Sequence, residues 1–96
     1  MKPGQNLVIY RFFMKKIIVK NKEFWYRQEE ENLFILFEKS NYYYLVTGLI
    51  IFVLEELSKN KDLSEITDEI KQKYNIDVSV EFLLEKLSEI EGLTIC

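Results

Sequence analysis

The chain contains no histidine, one cysteine and three glycines in 96 residues. The missing histidine removes the side chain that most often acts as a general base near neutral pH and most often ligates metals. Cys96 is the only cysteine, so no disulfide can close within one copy. Gly4, Gly48 and Gly92 lie too far apart to form a glycine-rich phosphate loop. No nucleophile–base pair can be assembled from what is left, so no catalytic residues, metal or cofactor are expected. Long apolar runs are scarce as well. The least polar stretch, from Ser40 to Leu54 between Lys39 and Glu55, falls short of the roughly 17–25 residues that cross a bilayer. It also holds Asn41, three tyrosines and Thr47, and reads as core. No basic segment leads into an uninterrupted apolar one, as in a secretory signal, so a cytoplasmic location with no membrane contact is expected.

What is present is enough for one folded domain. Hydrophobic residues make up 48% of the chain and charged residues 30%, a balance that can offset the entropy of ordering. The charge is unevenly placed. Residues 1–22 carry six of the thirteen basic groups and none of the sixteen acids, a charge of +6. The remainder holds seven basic groups against sixteen acids, a charge of −9. An acidic body repels phosphate backbones, so no specific nucleic-acid partner is expected. Met14-Lys15-Lys16-Ile17 resembles an alternative start. The domain is therefore expected over 17–96, with 1–16 as an N-terminal extension.

Two regimes meet near Thr47. Before it, Ile17-Ile18-Val19, Phe24-Trp25-Tyr26, Leu33 to Phe37 and Tyr42 to Val46 are short aromatic or β-branched runs that favour strands. The polar cluster Arg27 to Asn32 reads as a connection, and Glu38 to Asn41 has the length of a hairpin loop. A small antiparallel sheet of about three strands follows, and Leu7 to Tyr10 could add an edge strand. After Thr47, itself a good N-cap, Ile50, Val53, Leu54 and Leu57 recur at helical spacing. Asp62-Leu63-Ser64-Glu65 has capping-box spacing and opens a second helix with the stripe Leu63, Ile66, Ile70 and Tyr74. Ser79 or Asp77 caps a third, with Val80, Leu83, Leu84, Leu87 and Ile90 buried and Gly92 ending it. Helices are predicted near 48–58, 63–74 and 80–91. Strands followed by helices make an α+β domain in which three helices cover one face of the sheet.

This order carries particular residues: Tyr42-Tyr43-Tyr44-Leu45-Val46-Thr47 running into a helix, Asp62 to Ile66 opening the next, and Val80 to Leu87 closing with Glu91-Gly92-Leu93. In that order the chain resembles the PqqD-like family of leader-binding modules, the RiPP recognition elements, over roughly residues 20–95. Where the family often has Gly after the first helix, Lys59-Asn60 stand and keep the turn chemistry. The resemblance implies a non-catalytic, winged-helix-like domain. Such a domain binds the leader of a ribosomally synthesised precursor peptide and presents it to a maturation enzyme such as a radical-SAM enzyme, a leader protease or a cyclase. It further implies that the leader pairs as an extra strand along residues 42–46 and lies against the third helix, Ser79 to Ile90.

Elementary chemistry points to the same places. An exposed sheet edge offers unsatisfied backbone donors and acceptors for strand addition, and it can also pair two copies into a homodimer. Tyr42, Tyr43 and Tyr44, followed by Leu45 and Val46, put amphipathic rings on both faces of such a strand. They are also good strand formers that could simply close the core. At about 100° per residue, Phe82, Lys86 and Glu89 share a helix flank away from Leu83 and Leu87. That flank reads as the wall of a groove or as an isolated surface aromatic. Two other readings stay open. Three helices and a wing also describe a transcription regulator, although the third helix sets Glu81, Glu85, Glu89 and Glu91 against Lys86 alone. A structural, partner-binding subunit is the other.

Overall fold

The computed structural model describes residues 14–38 and 43–90. Four strands form one antiparallel sheet: β1 (Lys15–Val19), β2 (Lys22–Glu30), β3 (Leu33–Glu38) and β4 (Tyr43–Thr47). They are ordered β1-β2-β3-β4, a meander. Three helices follow: α1 (Gly48–Ser58), α2 (Leu63–Tyr74) and α3 (Val80–Ser88). The α+β class is as expected, with four strands in place of about three. Among the described residues no helix is long and apolar enough to cross a membrane.

The first hairpin turns in two residues. Lys20 and Asn21 both take left-handed backbone, with φ of 51° and 67°. That is the requirement of a type I′ turn, whose twist matches that of the flanking strands. Lys15 and Lys16, assigned from sequence to the extension, belong to β1 and pair with Tyr26 and Trp25. β2 runs straight through the polar cluster at Arg27 that sequence reads as a connection. Arg27 pairs with Ile35 and Gln28 with Phe34, and after a register shift between Gln28 and Glu30 the ladder closes with Glu30 opposite Leu33. Backbone pairing with β3 decides the strand there, and polar side chains on solvated positions do not oppose it.

Alternation along the strands sorts the side chains. Ile17, Val19, Phe24, Tyr26 and Leu36 are buried on the helix-facing side. Ile50, Ile51, Val53, Leu54 and Leu57 of α1 meet them there, joined by Leu63, Ile66 and Ile70 of α2 and by Leu83, Leu87 and Ile90 at α3. Two expected core positions lie at the surface. Tyr74 is 42% exposed and stands edge-on to Phe52, with Lys73 over both rings. Leu84 is 37% exposed.

Caps follow the sequence in two of three helices. Asp62 accepts the N–H of Glu65 at 2.8 Å, and Ser79 accepts that of Phe82 at 3.0 Å. Thr47 occupies the first N-cap in an extended conformation, yet its side chain makes no cap bond. Asn75 ends α2 in left-handed backbone, returning its N–H to Lys71 O at 2.9 Å. The third helix stops at Ser88, three residues before the predicted 91. Glu89 and Ile90 tighten its last turn with bonds to Lys86 O and Leu87 O. The Leu7–Tyr10 strand, Tyr42, the loop at 39–41 and Gly92 lie outside the described residues.

Charge also joins the helices. Glu56 is buried on α1 and takes Lys61 at 2.6 Å and Lys59 at 3.1 Å. Lys61 reaches on to Glu69 of α2 at 2.9 Å. The hydrogen bond from Lys61 holds the Glu56 carboxyl below its usual range against the opposing effect of burial, and Lys59 adds to it.

Candidate functional site

Among the described residues, β4 has a strand partner on its β3 side alone. Its five residues alternate between exposed and half-buried. Tyr43 and Leu45 are 65% and 62% exposed. Tyr44 and Val46 turn the other way and pack against the core. The Tyr44 hydroxyl donates to Glu38 Oε2 at 3.4 Å, and Glu38 is itself buried and ion-paired with Lys22 at 3.1 Å. The sequence could not say which tyrosine faces a ligand. The structure commits Tyr44 inward and Tyr43 outward, while Tyr42 lies outside the described residues.

The register builds a surface around the outward pair. Trp25 pairs with Phe37 and Phe37 with Tyr43, so three aromatic residues cross the outer face in one row. The Phe37 and Tyr43 rings lie 6.3 Å apart at a tilt. In the next row Arg27, Ile35 and Leu45 stand side by side. On the β3–β4 half of this face, Leu33, Ile35, Phe37, Tyr43 and Leu45 carry no charge. The sequence reading overlooked Trp25 and the outward residues of β3. The signal was there in Leu33-Phe34-Ile35-Leu36-Phe37, a run apolar on both faces, which marks a strand covered on both sides.

The α3 flank forms as a local cluster. Phe82 is 39% exposed, with Lys86 Nζ 5.6 Å from its ring centre, and Lys86 lies 3.8 Å from Glu89. Its relation to β4 differs from the expected groove. The helix seated on β4 is α1, which also covers β1 and β3. Val80 and Leu84 of α3 instead line a cleft with Ile18, Lys20 and Asn21 at the other end of the sheet.

On the core side, the Tyr26 hydroxyl donates a short hydrogen bond to Glu55 of α1. Burial pushes the Tyr26 phenol well above its ordinary value, and the Glu55 carboxylate adds to the effect. This contact ties sheet to helix. Among the described residues no three His, Cys, Asp or Glu side chains group as metal ligands. Among the described residues, what β4 offers chemically is an outermost strand flanked by apolar and aromatic side chains, the means of holding an extended peptide. The chain matches no family model, no curated protein and no solved structure.

Proposed function

We propose that the chain is a non-catalytic cytoplasmic module that binds the leader segment of a ribosomally synthesised precursor peptide along β4, the outermost strand among the described residues. It would hold the remainder of the precursor for a modifying enzyme, a radical-SAM enzyme, a leader protease or a cyclase. The observation that carries this reading is the outermost strand Tyr43–Thr47, with Tyr43 and Leu45 about two-thirds exposed beside an uncharged apolar face. Backbone bonds along the edge supply affinity, and alternate side chains of the peptide supply specificity. The resemblance of residues 20–95 to PqqD-like modules supports the same assignment. Tyr43, Leu45 and the backbone of 43–47 carry the contact. Phe82, Lys86 and Glu89 form their own cluster on α3, while Val80 and Leu84 are the α3 residues that line the cleft beside β1.

The experiment is calorimetric titration of the leader of a precursor encoded beside this gene. Tyr43→Pro is expected to weaken binding about tenfold or more, because proline removes a ladder donor from the edge strand. Leu45→Ser is expected to weaken it less. Unchanged affinity in both variants places the contact elsewhere, and no binding of the leader rejects the function.

A further inference from the structure

The opposite edge of the sheet carries a second surface, independent of β4. Among the described residues β1 has a strand only on its β2 side. Beside it a cleft of about 720 Å³ opens between the β1–β2 turn, the α1–α2 connection and the first turns of α3. This is within the size range of ligand-binding cavities. Leu57 and Leu63, both buried, belong to its lining, together with the more exposed Ile18 and Leu84. Ile18 is 49% exposed and Leu84 37%, although sequence periodicity assigns Leu84 to the core. Two leucine-sized side chains thus border an open space beside a strand edge.

Three of the four left-handed residues in the described chain border the same cleft: Lys20, Asn21 and Asn60. Asparagine tolerates that conformation, but a lysine side chain is strained in it. The strained turn holds Lys20 at the rim. Lys16 and Lys22 are neutralised by Glu23 and Glu38. Lys15 and Lys20 have no ion pair among the described residues, and the one acid lining the cleft, Asp62, is occupied as the cap of α2, so β1 and its turn present positive charge on a body that is otherwise acidic.

That charge selects the occupant. A second copy adding edge to edge would set β1 lysines against β1 lysines, and like charges on paired strands are destabilising. An acidic segment meets the opposite sign. We infer that the β1 edge and this cleft dock an extended, acidic segment of another protein. The segment lies beside β1, places one large apolar side chain between Ile18 and Leu84, and directs carboxylates to Lys20 and Lys15. An extended segment of about five residues spans this edge at about 3.3 Å per residue.

Backbone amide NMR titration of the isotope-labelled full chain tests this with three capped pentapeptides. The first is acetyl-Glu-Val-Leu-Val-Glu-amide. The second has Lys in place of both Glu, and the third has Ser in place of Leu. The first is expected to shift Ile18, Lys20, Asn21 and Leu84, and to bind at least about tenfold more tightly than the other two. Lys20→Glu and Leu84→Glu should each weaken it by about tenfold. Lys20→Gly removes the cation and relieves the left-handed strain, so it should weaken binding while raising the melting temperature. This variant separates loss of the site from loss of the fold. Equal binding of the lysine peptide, shifts confined to residues 43–47, or the absence of saturable binding overturns the inference.

Discussion

Asn32, in the turn between β2 and β3, accepts the backbone N–H of Gly48, the first residue of α1, at 3.1 Å. The pairing of Leu33 with Thr47 brings the two together. A carboxamide sixteen positions upstream thus satisfies the first N–H of α1, while the Thr47 hydroxyl makes no cap bond. A Cβ on Gly48 would come within 2.8 Å of Asn32 Oδ1. Loss of the cap in Asn32→Ala should cost about 1 kcal/mol. Gly48→Ala should also destabilise, because it displaces that carboxamide, but much less in the Asn32→Ala background. There the clash is gone and alanine favours the helix. A double-mutant cycle by urea unfolding measures the coupling; strictly additive effects would show that the contact is idle.

Tyr26→Phe tests the tie between sheet and helix. The ring stays buried, and only the hydroxyl that donates to Glu55 is removed. A partly buried bond to a charged acceptor contributes about 1–2 kcal/mol, so the urea midpoint should fall by a corresponding amount with the slope unchanged.

Glu56 sets an acid limit. Its carboxyl is held below the usual carboxylate range in the folded chain, first by the hydrogen bond from Lys61. A lowered folded value means that its contribution is complete above the unfolded pKa and is lost as pH falls through the folded one. Stability should therefore decline from about pH 5 downward, and Glu56→Gln should flatten that limb while lowering stability near neutrality. Urea midpoints measured across this range, wild type against Glu56→Gln, give the comparison. Parallel curves would remove Glu56 from the account.

The β4 edge, outermost among the described residues, should also pair with itself. Without peptide the chain is expected to associate as concentration rises, and Leu45→Lys should suppress this, since edge lysines oppose strand pairing. Leu45 is 62% exposed, so the substitution should leave stability within about 0.5 kcal/mol. Sedimentation or light scattering over a concentration series reads the outcome. A monomer at millimolar concentration in both proteins would count against it.

Much of this architecture was legible in the residues. The spacing of Ile50, Val53, Leu54 and Leu57, and the caps at Asp62 and Ser79, located three helices because those signals are local. What escaped was non-local. The extent of β2 beyond Tyr26 depends on its pairing with β3, and the cap at Gly48 comes from another turn. The facing of Tyr43 and Tyr44 depends on register, which consecutive tyrosines cannot reveal. Which element the third helix sits beside follows from how three helices cross the sheet. No period in the sequence encodes that crossing.

The meander order has a kinetic consequence. Every strand pairs with its neighbour in sequence, so the sheet can zip up through successive short loop closures, each of small entropic penalty. The long-range closure is the docking of α1 across β1, β3 and β4, with Tyr26 and Glu55 in the seam at a separation of 29 residues. Rates fall as contacts become more distant in the chain, so this docking is expected to be slower than the closure of each hairpin. A ribosome emitting the chain from its N-terminus would release a nearly complete sheet before the helix that covers it, and for that interval the inner face of Phe24, Tyr26 and Leu36 stands open to any passing apolar surface.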